Sequence, residues 1–257
     1  MVNGPVADFV FRRISKPFRG NYWSANRQFI APLPVPDATK REAGEVARRA
    51  AALQRRWTKR RKLIADIEAR LGVMPKRRWK FQDLWPDPEH ALPALIERAP
   101  KAFKLKSDRR AWAEAELDRI EAARMAAVQA ALDAKLRLSA EFADGTLRMK
   151  SGGAGIAGPI FLDEAPGALA GAYWRYLCLS QNWTEAKSLV AALRATPAAS
   201  EAPAARQFIA KVDALAAENA ALATEEAEMN DLLYRLYGLS DDERALVEKD
   251  RAAVLPG

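Results

Sequence analysis

Two stretches of this chain repeat their apolar residues at alternating steps of four and three. No other pattern in it restricts the fold so far. Phe208, Val212, Leu215, Leu222, Met229, Leu233 and Leu236 keep that rhythm, with Asn219 and Glu226 in the same seam. Val46, Ala50, Leu53, Trp57, Ile64, Ile67 and Leu71 keep it too, with one break at Arg60. Such steps hold a stripe on one side of an α-helix, so each stretch predicts a long helix with a coiled-coil-like seam. A seam of this length must be covered, and the two helices are natural antiparallel partners. Roughly thirty residues at ~1.5 Å each make a spacer of about 45 Å. Asn219 in an otherwise apolar seam is suited to fixing register.

The helix ends carry their own signals. Thr39-Lys40-Arg41-Glu42 is a capping box, in which the Thr hydroxyl and the Glu carboxylate satisfy opposite free amides. The first helix is expected to run to about Leu71, with Gly72 just past its end. Ser240-Asp241-Asp242-Glu243 is a second capping box, opening a short final helix, and Gly238 is placed to end the preceding one in a left-handed cap.

The middle of the chain reads less clearly. Pro75, Pro86, Pro88, Pro93 and Pro100 forbid one continuous helix across 73–106. Within that connector, Lys76, Arg77, Arg78 and Lys80 interleave with Trp79 and Phe81. They form either a clamp on a nucleic-acid backbone or, with Trp85, a set of hydrophobic pegs; the peg reading is preferred. Ser107 is expected to cap a second long helix from about Asp108 to Glu141, and Asp144-Gly145 to turn the chain. Residues 145–168 read as a Gly-rich loop with a short apolar piece, Ile160-Phe161-Leu162. Gly152-Gly-Ala-Gly-Ile-Ala-Gly158 follows a polar segment and precedes Pro159, so it lacks the strand and helix start that a phosphate or cofactor cradle requires. A helical pair over about 168–192, broken near Asn182, and a linker at 196–203 complete the region. At the other end, Phe9 to Ile14 reads as a short strand with imperfect alternation, and Phe29 to Leu33 as another extended piece.

Composition excludes several chemistries. Cys178 is the only cysteine and His90 the only histidine, so an internal disulfide, a multi-His metal site and His-based triads with ordinary partners are ruled out. Cys178 reads as a buried structural thiol. Paired carboxylates such as Glu225/Glu226 and Asp241/Asp242 sit where they favour a helix end or solvate a face, which is a poor setting for catalysis. No apolar run is long enough for a membrane span and no signal-peptide region opens the chain, so a cytoplasmic protein is expected. Charge is unevenly spread: residues 1–80 hold 20 Lys/Arg against 6 Asp/Glu, and residues 81–257 hold 21 against 27. A basic third on an acidic body is either a solvated helix surface or a polyanion-binding face. The neighbouring aromatic, Asn and Ser residues favour nucleic acid. On the basic helix, Arg48, Arg49, Arg55, Arg56, Lys59, Arg61 and Lys62 lie off the seam and could run along phosphates.

Two stretches carry a resemblance. Pro17-Phe-Arg-Gly-Asn-Tyr-Trp-Ser-Ala-Asn-Arg-Gln-Phe-Ile-Ala-Pro-Leu-Pro-Val-Pro36 resembles the end of the target-recognition domain in Type IIG-like restriction–modification enzymes. These join an adenine-specific DNA methyltransferase to a specificity region. Similar endings precede the helical spacers of Type I specificity subunits. Met229-Asn-Asp-Leu-Leu-Tyr-Arg-Leu-Tyr-Gly-Leu-Ser-Asp-Asp-Glu-Arg-Ala-Leu-Val-Glu248 resembles the C-terminal ending of the same enzymes. The family's aromatic-x-Gly-x-Gly-like cofactor motif and Asn-Pro-Pro-aromatic catalytic motif do not occur here. The resemblance therefore implies the specificity part of a longer enzyme or a fragment of one, with Met1 an internal or misassigned start. No catalytic residue, cofactor or metal is expected in this chain, and S-adenosylmethionine is expected in the full-length parent. Double-stranded DNA is the implied partner, with an upstream methyltransferase domain or subunit beside it.

By the same resemblance, Lys16 and Arg19 contact phosphates. Asn21, Ser24, Asn26 and Arg27 are candidates for base-edge or backbone contacts, since Arg suits guanine and Asn suits adenine. Tyr22 joins this set, whereas Trp23 is read as core. Arg12, Arg13, Arg55, Arg56 and Lys59 complete the DNA-binding candidates. The expected fold is mainly α: long antiparallel coiled-coil-like helices and a helical bundle, with a short β remnant of the recognition domain at the N-terminus. Its segments are 1–36 (the end of the recognition domain), 37–72 (basic helix), 73–106 (connector), 107–200 (helical region with the Gly-rich loop) and 201–257 (C-terminal helices). The rival reading is a non-enzymatic helical scaffold that binds RNA or a protein through its seam.

Overall fold

A computed structural model describes residues 4–18, 22–23, 26–198 and 202–254. In chain order its helices are α1 (Pro5–Ile14), α2 (Arg27–Ile30), α3 (Lys40–Val73), α4 (Leu92–Arg98), α5 (Lys106–Asp133), α6 (Glu164–Ser180), α7 (Ala186–Arg194), α8 (Ala202–Leu236) and α9 (Asp241–Val254). Its strands are β1 (Pro17–Phe18), β2 (Tyr22–Trp23), β3 (Leu138–Ala143), β4 (Thr146–Ser151) and β5 (Ala154–Phe161). The described residues are mainly helical. They form two compact units: unit 1 takes the chain up to Lys62 and from Ala217 on, and unit 2 is Leu63–Ala216. The dividing points fall inside α3 and α8, so neither unit coincides with one of the five consecutive segments.

In unit 1 the capping signals form as read. Thr39 N donates to Glu42 Oε2 at 2.9 Å and Glu42 N donates to Thr39 Oγ1 at 3.3 Å. Ser240 N donates to Glu243 Oε2 at 2.8 Å and Glu243 N to Ser240 Oγ at 3.4 Å. Gly238 takes φ +65°, the left-handed cap that the Cβ-free residue allows. Val46 packs with Leu232 and Leu233, and a second cluster joins Val6, Tyr234 and Val247. That second cluster explains a correction. Residues 9–14 form no strand but the last part of α1: Val6 and Ala7 are buried, Pro5 opens the helix, and Arg12 bonds back to Asp8 at 2.9 Å. Residues 29–33 are not extended either; they follow from the single turn of α2 into a tight turn. β1 and β2 pair antiparallel, Pro17 with Trp23 and Phe18 with Tyr22. Trp23, read as core, is 37% exposed.

Unit 2 holds the largest core. Ile67 from α3 and Phe208, Val212 and Leu215 from α8 join Trp174, Leu189 and Leu193 from α6 and α7, with Trp79 from the connector. Trp79 is the expected peg: it is buried and meets Trp174 edge-on, with ring centroids 5.8 Å apart. The connector around it contains two short 3-10 turns and α4.

The sheet of unit 2 was not foreseen. α5 ends at Asp133 rather than near Glu141, and Leu105, not Ser107, is its N-cap. Lys135 takes φ +53°, which breaks the helix, and from Leu138 half-buried and exposed residues alternate along β3. The expected Gly-rich loop is instead β4 and β5, giving an antiparallel sheet of order β3-β4-β5. Asp144 and Gly145, both with positive φ, make the two-residue turn between Ala143 and Thr146. The sheet rests on α6 where Gly167 and Gly171 let Phe142 approach; a Cβ on Gly167 would lie 2.1 Å from Phe142 Cζ. At the end of α3, Gly72 lies inside the helix, one residue before its last.

Candidate nucleic-acid interface

Eight of the cations of α3 fall into two sets. The inner set meets α8 within unit 1. Arg49 bonds Glu45 at 3.1 Å and Glu228 at 2.7 Å. Arg56 bonds Glu225 at 2.5 Å and Glu218 at 3.1 Å, and Lys59 bonds the other oxygen of Glu218 at 2.6 Å. Arg60 Nε donates to Asn219 Oδ1 at 2.8 Å, and Trp57 Nε1 to Glu226 Oε1 at 3.2 Å. Partner numbers fall on α8 as they rise on α3, so the pairing is antiparallel, as expected. Glu218 is almost fully buried by its surroundings, and the hydrogen bond from Lys59 holds its carboxyl below the usual range; burial opposes this and the Arg56 bond assists it.

The outer set is different. Arg41, Arg48, Arg55 and Lys62 recur every seventh residue and all four are exposed. Seven residues of helix put neighbours about 10.5 Å apart, with a drift of only ~20° per step. Gly44, Ala51 and Thr58 lie beside this column at the i+3 positions, leaving it open to a broad partner. Among the described residues no carboxylate pairs with any of the four. The outer column is therefore a regularly spaced part of α3 whose charge remains presented, and Lys40 and Arg61 are exposed on the same helix.

The twelve candidates read from sequence fare differently. Arg12 is engaged by Asp8, and Arg13 pairs with Asp250 at 3.2 Å while lying 3.4 Å over the Phe9 ring. Arg56 and Lys59 belong to the inner set, so their first role is within the fold. Lys16, Asn26 and Arg27 are exposed, and Asn26 precedes α2 as its cap residue without a side-chain cap bond. Tyr22 lies in β2. Arg19, Asn21 and Ser24 lie outside the described residues. Arg55 stands in the outer column. Arg48 and Lys62 are among the off-seam cations expected to run along phosphates though not among the twelve, and Arg41 is the member of the column that the sequence reading missed, although the seven-residue spacing is a signal for it.

Unit 2 contains a second polar feature, a cavity of about 270 Å³ between the connector and α5. Phe81, Trp85, Pro86 and Pro88 line one part, Leu117 and Ile120 another, and Gln82, His90, Glu121 and Arg124 supply polar groups. Gln82 Nε2 donates to Glu121 Oε1 at 2.8 Å, and His90 Nδ1 lies 2.9 Å from Asp87 Oδ2. Burial, with Asp118 nearby, holds the Glu121 carboxyl above its ordinary range.

Other chemistry finds little footing. Burial pushes the Cys178 thiol up to about 12, far from a reactive thiolate. Among the described residues no group of His, Cys, Asp and Glu could hold a metal ion, and no helix is long and apolar enough to cross a membrane. Compared with protein-family models, with characterised proteins and with solved structures, the chain finds no match in any of the three.

Proposed function

We propose that this chain is the DNA-recognition portion of an adenine-specific, S-adenosylmethionine-dependent DNA methyltransferase of a restriction–modification system. In this reading it holds duplex DNA and leaves methyl transfer to catalytic motifs outside the chain. The two family-like stretches suggest the class. The outer column of α3 is the observation that carries DNA binding: four exposed cations in line, on a helix where Arg49, Arg56 and Lys59 are matched by α8. Each phosphate neutralised releases condensed counterions, so affinity from such a column is independent of sequence and steeply dependent on salt. Asn21, Ser24, Asn26 and Arg27, with Tyr22, are then the groups left to read the site, beside Lys16 and Arg19 on phosphates, because base edges rather than phosphates carry sequence information.

The rival scaffold reading uses the apolar seam as its binding surface. In unit 1 the seam positions Val46 and Leu233 are already packed together, with Leu232 beside them, which counts against it.

The test is duplex binding by fluorescence anisotropy across salt concentration. Replacing Arg41, Arg48, Arg55 and Lys62 together by Ala is expected to lower the slope of log affinity against log salt by about 0.9 for each cation that meets a phosphate. An unchanged slope rejects the outer column as a DNA-binding face.

A further inference from the structure

The cavity of unit 2 has no part in the reading above, and its chemistry is specific enough to name an occupant. Phe81 and Trp85 stand with ring centroids 4.6 Å apart and planes at 36°, and both rings line the space. Leu117 and Ile120 of α5 add an apolar wall. The volume of about 270 Å³ lies near the lower limit of small-molecule sites, roughly 300 Å³, and suits a single ring system with a short substituent.

The polar edge is one of acceptors. Gln82 gives its amide N–H to one oxygen of Glu121, which orients both groups. Among the described residues, the second Glu121 oxygen and the Gln82 amide oxygen take no further hydrogen bond. An exocyclic amino group on a base offers two N–H donors to such a pair, whereas uracil and thymine present a carbonyl oxygen there.

One cation, Arg124, stands at this edge, and others precede Phe81 along the chain. Arg124 lines the cavity, and Lys76, Arg77, Arg78 and Lys80 are all exposed in the segment leading into Phe81. That segment is fixed: Arg77 N donates to the Thr196 carbonyl at 2.9 Å, Trp79 N to the Arg194 carbonyl at 3.2 Å, and the Trp79 ring is buried. Stacking faces next to a cationic approach form the arrangement that holds unpaired nucleotides.

We propose that this cavity binds one nucleotide whose base carries an exocyclic amino group, such as cytosine or adenine. Its ring lies on Phe81 and Trp85, its amino group donates to Glu121 and Gln82, and its phosphate faces Arg124 and the Lys76–Lys80 segment. A free mononucleotide and an unpaired base in a single strand share this chemistry.

Isothermal titration of the whole chain with CMP and UMP tests it. CMP is expected to bind saturably, about tenfold or more tighter than UMP. Glu121→Gln is expected to remove that preference with Tm retained, and Trp85→Ala to weaken both ligands by about tenfold. No saturable binding of CMP at millimolar concentration overturns the proposal. So does equal affinity for CMP and UMP, or a preference that survives in Glu121→Gln. A cytosine hexanucleotide distinguishes the sources: tighter binding than CMP identifies a strand-borne base and no gain a free nucleotide, and either upholds the site. Loss of duplex affinity in the α3 variant leaves this result untouched, so the two readings fail separately.

Discussion

Glu218 sits where a carboxylate is costly, its side chain 3% exposed, and it is tolerable there because Lys59 and Arg56 reach its two oxygens. Its pKa is held below 4.5, chiefly by the hydrogen bond from Lys59. A group with a depressed folded pKa stabilises the fold above its unfolded value and loses that contribution as pH falls through the folded one. Thermal melts are therefore expected to show Tm falling as pH drops below about 4.5, with Glu218→Gln making the fall shallower. Lys59→Ala is expected to lower Tm at neutral pH, whereas Arg55→Ala, in the outer column, leaves it nearly unchanged. Gly167 poses a packing question at the same scale. A methyl group there collides with the Phe142 ring at 2.1 Å, so Gly167→Ala is expected to cost about 1–3 kcal/mol in denaturant melts. In a Phe142→Ala background that cost is expected to shrink, so that the double change costs well below the sum of the two single changes, because the obstructing ring is gone.

At the scale of elements, two irregularities explain each other. Arg60 breaks the α3 seam and Asn219 breaks the α8 seam, and the structure joins them at 2.8 Å. A polar crossing in an apolar seam rewards one register and penalises its neighbours. Arg60→Leu alone is expected to lower Tm by leaving Asn219 in a less satisfied site. Arg60→Leu with Asn219→Leu is expected to recover Tm while broadening the melt, as alternative registers come closer in energy. The α8 seam, both capping boxes and the Asp144-Gly145 turn were legible in the sequence because each depends on residues close along the chain; the α3 seam holds only in part, since Ala50 and Trp57 are exposed. The strands β4 and β5 were not: their glycines resemble a loop, and what makes them strands is pairing with β3 and cover from α6. α1 was missed for a related reason. Its Phe9–Ile14 stretch fits neither period well, and the choice is made by Tyr234 and Val247, which lie more than two hundred residues away in sequence.

Over the whole molecule, the charge counted along the sequence and the charge presented to a partner are different quantities. The basic surplus before residue 81 includes Arg49, Arg56 and Lys59, whose carboxylate partners on α8 belong to the acidic remainder. Linear counting cannot see that cancellation. It also could not rank Arg56 below Arg41, which only the pairing with α8 reveals. Changing Glu218, Glu225 and Glu228 together to Gln is expected to raise the salt concentration needed to elute the chain from heparin, because the inner cations then add to the outer column. Elution at unchanged salt shows that the inner set stays masked by geometry alone. The same pairing has a consequence during synthesis. Arg56 and Glu218 are 162 positions apart, so at ~5–20 residues per second the arginine leaves the ribosome roughly 8–32 s before its counter-charge exists. For that interval Arg56 and Lys59 are outside the ribosome with no carboxylate of α8 to meet them.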